Sequence, residues 1–369
     1  MKKIHLLSLI LFLAHISFAQ EITELKWWNP AKSEFPVIAG QAWPQQEKTI
    51  YHRLPERAEE KLREAVWRLS KQSAGLSIRF RSNANNIRVK YKLKGAIAMP
   101  HMPATGVSGL DLYGKTKDGE WFRPWGTYRI DSISSYNFKV DVNVASYIKN
   151  GTEFQLFLPL YNEVDHLEIG VEEEFFFEAL PLRIEKPIVA YGTSICQGAC
   201  ASRPGMAWTN ILERKLQWPV INLGFSGNGR LEPALIDLMT EIDAKVYILD
   251  CLPNLTPERD DTYKLAVEAV KKLKGKRPEV PVILTAHLGF SDDFTNQNNN
   301  SKTIKLNKDL GRAFDALKAE GFTKVYLLQK EDLGFVDAMF VDNIHPNDHG
   351  MLQYATVYEK LIRDIWNKL

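Results

Sequence analysis

The sequence predicts an α/β protein: a three-layer α/β/α domain around a five-stranded parallel sheet, preceded by a β-sandwich of jelly-roll type. Three observations carry this. From Pro187 onward, short apolar runs alternate with segments of helical periodicity. From about residue 73 to 185 the apolar spacing is instead two, in short runs divided by turn-forming clusters. And the 369 residues exceed what one hydrophobic core usually organises, so two domains are expected.

The first 19 residues stand outside that fold. Lys2 and Lys3 precede a mostly apolar stretch, Leu6 to Leu13, and Ser17-Phe18-Ala19 is a small-x-small cleavage site. This is the pattern of a cleavable signal peptide, whose apolar run is too short to span a bilayer. Gln20 follows the cut rather than cysteine, so no lipid anchor is expected. A periplasmic or secreted protein is expected, with domains at about 20–185 and 186–369. No later stretch reaches the roughly 18 apolar residues of a membrane helix. Without Lys2 and Lys3 the basic and acidic side chains balance, and no basic excess argues for a nucleic-acid partner. Nothing in the sequence speaks to oligomeric state.

In the first domain, Pro55 to Leu69 places Leu62, Val66 and Leu69 on one helical face and predicts a short helix. Leu76–Phe80 and Ile87–Tyr91 alternate apolar and polar residues, as half-buried antiparallel strands do. Leu110–Tyr113, Phe138–Val142, Glu153–Leu158 and His166–Val171 are further strands, and their number and spacing predict a sandwich. Trp27, Trp28 and Trp43 lie in an irregular segment and could stack on sugars or pin that segment; both readings stay open.

In the second domain, Pro187–Tyr191, Pro219–Leu223, Lys245–Leu249, Val280–Ala286 and Lys324–Leu328 are nearly continuous in hydrophobicity, as strands buried on both faces are. One helix is expected from Thr256-Pro257 with Tyr263, Ala266, Val267, Val270 and Leu273 on its face. A second carries Leu306, Leu310, Phe314 and Leu317 and closes at Gly321. A third carries Met351, Tyr354, Tyr358, Leu361 and Ile365, capped by Asn347 with a solvated His349 at its start. Trp208 and Tyr354 are expected to pack in the core.

Open parallel sheets bind ligands beyond the carboxyl ends of their strands. Ser194, Gly227, Asn254 and His287 each follow a predicted strand. Ser194 is a candidate nucleophile. Asp342 and His345, three residues apart, are a candidate carboxylate and base. Gly227 and Asn254 are candidate oxyanion donors. His287 is read as a hydrogen-bonded structural histidine. Arg203 could contact substrate or brace its loop. The segment Met99-Pro100-His101-Met102-Pro103 is apolar for a loop and is expected to reach over the catalytic face, within about 15 Å of Ser194.

Cys196, Cys200 and Cys251 all fall beside these residues. They are too few and too odd in number for a disulfide scaffold. One bridge, Cys200 to Cys251, or simply small buried thiols would fit. No histidine sits at ligand spacing from any of them in the sequence, so no metal is expected.

Gly192-Thr193-Ser194, Gly227, Asn254 and Asp342-x-x-His345 resemble, in order, the four blocks of the SGNH (GDSL-type) hydrolases. Thr193 stands where that family commonly has aspartate, and no aspartate follows Asn254. The Ser194 context is also unlike the α/β-hydrolase elbow, because Cys196 occupies the second glycine position. Upstream, Gly109-Leu110-Asp111-Leu112-Tyr113 resembles the Gly-x-Asp-Leu-Tyr motif of a β-sandwich domain found ahead of such hydrolases. The resemblance implies a Ser194–His345–Asp342 triad, with the N–H groups of Ser194 and Gly227 and the amide of Asn254 as oxyanion hole. It implies no cofactor and a small-molecule or glycan ester as substrate. An exported esterase acting on O-acetyl groups of carbohydrate is the leading expectation. A lipid or thioester acyl hydrolase, or a catalytically idle carbohydrate-binding surface protein, is the alternative.

Overall fold

The computed structural model describes residues 24–140 and 151–368. The signal-peptide reading at 1–19 and the end of the Phe138–Val142 strand lie outside the described residues.

Among the described residues, eleven strands form the N-terminal part: β1 (Leu25–Trp28), β2 (Ile38–Ala39), β3 (Ser77–Ser82), β4 (Asn86–Leu93), β5 (Asp111–Lys115), β6 (Trp121–Phe122), β7 (Trp125–Arg129), β8 (Ile133–Lys139), β9 (Thr152–Phe157), β10 (Val164–Glu172) and β11 (Phe177–Ala179). They make two antiparallel sheets, β1-β10-β4-β8-β7 and β11-β3-β9-β5-β6, with β2 on β3. The alternation read in the sequence is the sandwich core. Ile87, Val89 and Tyr91 of one sheet and Ile78, Phe80, Phe154 and Leu156 of the other share one buried cluster.

The C-terminal part is a parallel sheet of β12 (Ile188–Gly192), β13 (Val220–Gly224), β14 (Val246–Asp250), β15 (Val282–Thr285) and β16 (Val325–Leu328), ordered β13-β12-β14-β15-β16. Each strand lies within two residues of its expected place. Alternate side chains serve opposite layers. Val189, Tyr191, Leu223 and Leu249 pack on one face with helices Pro233–Met239, Thr262–Lys276 and Gln297–Ala319. Ile188, Ala190, Val220 and Ile248 pack on the other with helices Trp208–Leu216 and Asp348–Trp366. Trp208 stacks on Tyr358 and Tyr354 in that second layer, at 4.6 and 5.9 Å between ring centroids.

β12 lies between β13 and β14, so the strand order reverses at its end, and a crevice opens at such a switch point. Ser194 follows there.

Two helices differ from expectation, each because a side chain found a better partner. The predicted helix over Pro55–Leu69 is a short 3₁₀ turn, Glu56–Ala58, followed by a helix only at Glu64–Ser70. Between them Arg63 is extended, its guanidinium held by Glu232 and by Asn228 Oδ1 at 2.8 Å. The helix expected from Thr256 begins at Thr262. Asp260 accepts from the Thr256 N–H at 2.7 Å and closes a turn, and Asp261 caps the helix through the Lys264 N–H at 3.0 Å.

The chain between Trp43 and Trp67 belongs spatially to the parallel sheet: Trp43, Leu54, Val66 and Trp67 lie in the same core as Leu223 and Leu249. Fully buried Arg53 fastens this segment. It donates to the carbonyls of Leu69 (2.8 Å), Gln72 (2.8 Å), Asn222 (3.2 Å) and Gly224 (2.7 Å). Trp43 is pinned by its indole N–H on Glu241 at 2.8 Å, and Trp28 packs on Phe177.

Candidate active site

Ser194 opens a one-turn helix, Ser194–Gln197, directly after β12. Thr193 is its N-cap, with Oγ1 accepting from the Ile195 N–H at 3.2 Å. Threonine therefore supplies a cap at the position where the SGNH hydrolases commonly carry aspartate. Gly198 ends the turn at φ +107, a conformation open to glycine. From the sandwich, the Tyr161 hydroxyl donates to the Ser194 carbonyl at 3.2 Å, so the N-terminal sheets also hold this turn.

The Asp342–His345 turn sits opposite. Its backbone closes through the Val341 N–H on the His345 carbonyl at 2.9 Å, and the Asn347 N–H donates to Met339 at 2.8 Å. Asp342 Oδ1 accepts from the N–H groups of Ile344 (2.9 Å) and His345 (2.7 Å), leaving Oδ2 for the ring. Asp342 Oδ2 lies 2.7 Å from His345 Nδ1, and His345 Nε2 lies 2.9 Å from Ser194 Oγ. Burial alone would raise the Asp342 carboxyl, but the ring and the two backbone N–H groups hold it below its ordinary value. With Nδ1–H pointing at that carboxylate, Nε2 is the basic nitrogen facing the serine. Ser194 itself is 8% exposed, open to a small electrophile and shielded from bulk water.

The other two predicted residues meet on the loop after β13. The Phe225 N–H donates to the Gly192 carbonyl at 3.0 Å, joining this loop to the serine turn. Gly227 has φ +67, and a Cβ there would meet nothing within 4 Å. Backbone conformation, rather than crowding within the chain, is thus what asks for glycine. Asn254, in the turn Leu252–Asn254 after β14, faces the same loop. In the orientation its neighbours favour, the amide oxygen accepts from the N–H groups of Asn228 (2.9 Å) and Gly229 (3.1 Å).

His287 does not join the group. It is buried, Nδ1 accepts from the Gly289 N–H at 2.9 Å, and Asn307 brackets its backbone. Burial, with Lys302 and Lys330 nearby, pushes it down to about 3, so it stays neutral. Arg203 braces rather than faces the crevice: its Nε lies 3.0 Å from Asp111 Oδ2. The three cysteines are free and buried, so the bridge allowed by the sequence does not form. Burial, with the Asp342 charge adding to it, pushes the Cys200 thiol up to about 12.

The expected overhang is present. The Met99 and Met102 backbones pair at 3.2 and 3.1 Å, and the His101 ring lies 5.5 Å from that of His345, centroid to centroid. What sequence reading missed is mostly nonlocal: Arg53, Tyr161, and the way His101 and Cys200 converge on His345. No spacing in the chain signals such contacts.

Beneath the site, Asp250 ends β14 fully buried, its Oδ1 without a hydrogen-bond partner among the described residues. Burial raises this carboxyl to about 7, opposed by the Tyr358 hydroxyl. The folded protein therefore retains a proton that the unfolded chain releases near pH 4, and stability falls as pH rises from about 4 to about 7. Asp250→Asn is expected to flatten that slope and to stabilise the protein above neutral pH by on the order of 2 kcal/mol. Melting temperatures of both proteins from about pH 5 to 8 test this; parallel curves would contradict it.

Residues 185–363 match the model of the GDSL-like lipase/acylhydrolase family. Residues 25–177 match that of the N-terminus of SGNH-hydrolase-type esterases, which is named for its Gly-x-Asp-Leu-Tyr motif. Among solved structures, the chain is similar to a candidate GDSL-like lipase from Bacteroides ovatus, at 30% identity and a TM-score of 0.83 over 93% of this chain and 98% of that one. It shares its fold with the salicylyl-acyltransferase of a tetracycline biosynthetic pathway (17% identity, TM-score 0.73, 93% and 98% covered). It also shares it with an acetyl xylan esterase from the rumen bacterium Butyrivibrio proteoclasticus (10% identity, TM-score 0.53, 93% and 98% covered). No curated protein matches it in sequence.

Proposed function

The chain belongs to the GDSL-like lipase/acylhydrolase family, and from that premise we propose an exported serine esterase that removes short acyl groups, O-acetyl groups of carbohydrate foremost. One observation carries the reading: Asp342, His345 and Ser194 form an unbroken chain of 2.7 and 2.9 Å contacts at the switch point of the sheet.

In this reading Ser194 Oγ attacks the acyl carbonyl carbon while His345 Nε2 takes its proton. Asp342 keeps the ring in the required tautomer and stabilises the imidazolium. The developing oxyanion receives the N–H groups of Ser194 and Gly227 and the NH₂ of Asn254, whose amide oxygen is engaged by Asn228 and Gly229. Each such donor contributes about 3 to 4 kcal/mol. Collapse expels the sugar hydroxyl with the proton from His345, and water then cleaves the acyl-serine by the same route. The shared fold of an acetyl xylan esterase supports a carbohydrate ester, and the signal-peptide pattern supports export. A division near residues 185 and 186, between the two family matches, belongs to the same proposal.

Acetate release from a panel of acetylated glycans, compared with turnover of long-chain acyl esters and acyl thioesters, tests the substrate. Rapid acetate release from at least one glycan is expected. Faster turnover of a long-chain ester or a thioester than of every glycan would replace carbohydrate acetate as the substrate.

A further inference from the structure

The rim of the crevice brings the base His345 together with two donors that ester hydrolysis does not use. His101 of the sandwich loop, Cys200 of the turn after Ser194 and His345 each offer one ligand atom, and these atoms all lie within 4.8 Å of one another. They come from three distant parts of the chain. His101 sits at the tip of the paired Met99–Met102 turn, with its side chain exposed and Met102 anchored in the core. The Cys200 backbone holds φ +68, costly for a residue with a Cβ, and its thiol donates to the His101 carbonyl at 3.2 Å. The sandwich is thus fastened to the serine loop at the point where the donors meet.

We propose that these three residues form a site for Zn²⁺, and that its occupation reversibly switches the esterase off. This rests on the serine-esterase reading above.

The chemistry follows from the donor set. One thiolate and two imidazoles suit a borderline-soft, tetrahedral ion and not Mg²⁺ or Ca²⁺, which take oxygen ligands. Zinc bonds of about 2.0 Å to nitrogen and about 2.3 Å to sulfur require the donors to lie within about 4 Å of one another. The exposed His101 ring is the donor freest to adjust toward that spacing, by rotation about its own side chain. Asp342 occupies His345 Nδ1, so the lone pair left for a metal is that of Nε2, the one that faces Ser194 Oγ at 2.9 Å. A metal there removes the base from the serine. Binding expels the Cys200 thiol proton to solvent, and the fourth position falls to water or to the Ser194 hydroxyl.

The test measures binding and inhibition separately on the full chain. Co²⁺ added in place of Zn²⁺ should give a thiolate-to-metal charge-transfer absorption in the wild type and in Ser194→Ala, and none in Cys200→Ser. This readout needs no catalysis, so it stands even if the esterase reading fails. Zn²⁺ at about ten times its dissociation constant should leave about a tenth of the wild-type activity on p-nitrophenyl acetate, restored by chelator. Cys200→Ser and His101→Gln, each compared with its own rate without metal, should lose most of that sensitivity, and Mg²⁺ or Ca²⁺ should not inhibit. Absence of the Co²⁺ band in wild type would overturn the site. Binding without inhibition, or equal Zn²⁺ sensitivity in all three proteins, would overturn the switch.

Discussion

Ser194→Ala is expected to lower kcat on p-nitrophenyl acetate by about 10⁴- to 10⁶-fold, with the folded structure intact. The alanine loses only an oxygen at a site that is already largely enclosed, so no cavity opens and the one-turn helix keeps its Thr193 cap. What disappears is the atom that His345 Nε2 faces at 2.9 Å. His345→Ala should cost a similar factor, and the double variant little more than either alone, because the two residues act as a unit. A residual rate above that of water would come from the oxyanion donors, and removing Asn254 as well should reduce it. Equal rates for wild type and Ser194→Ala in a steady-state assay would remove the serine-esterase reading and leave the binding protein as the better account.

Asp111→Ala is expected to destabilise the protein by about 3 kcal/mol and to lower activity with it. Asp111 is the aspartate of the Gly-x-Asp-Leu-Tyr motif, and it is fully buried where β5 of the sandwich meets the loop carrying Arg203 and Gly205. Its carboxylate meets Arg123 Nε at 2.7 Å and Arg203 Nε at 3.0 Å and accepts from the Gly205 N–H at 3.1 Å. Arg214, whose guanidinium stacks over Tyr113 at 3.9 Å, is buried beside them. Removing this acid takes a buried counter-charge from Arg203 and the buried Arg214, and that imbalance is what makes such a deletion expensive. The effect should reach the crevice, because Ser202 of the same loop donates its N–H to Asp348 at 2.8 Å, and Asp348 begins the helix just after His345. Thermal melts should show a drop of several degrees. Arg203→Ala alone should cost less, since Arg123 still neutralises the acid. A change below about 0.5 kcal/mol for Asp111→Ala would mean the motif does not anchor the sandwich to the parallel-sheet part.

Much of the architecture was legible because parallel strands announce themselves. β12 to β15 are buried at every described position, so their residues are apolar except for Asn222, Asp250 and Thr285, and the expected runs fall within two residues of the strands. The sandwich was legible through period-two alternation in β3, β4, β9 and β10. It was not legible in β1, β7 and β11, which lie at sheet edges where exposure relaxes the pattern. Helix starts were misplaced where a side chain, Arg63 or Asp260, formed a contact that local propensity does not weigh.

The candidate site divides along the same line. Residue types and order along the chain already named Ser194, Gly227, Asn254, Asp342 and His345, because each sits at a strand end or in a short turn whose geometry is local. The chain alone also fixed the spacing that lets Asp342 and His345 converge through one backbone turn. It could not place His101 beside His345, bring Cys200 to both, or tie Arg53 to the carbonyls at the end of β13. Those contacts join residues roughly 100 or more apart in sequence, and only the packing of the sandwich against the parallel sheet brings them within reach. Local periodicity records which face of an element is buried; it carries no record of which distant element does the burying.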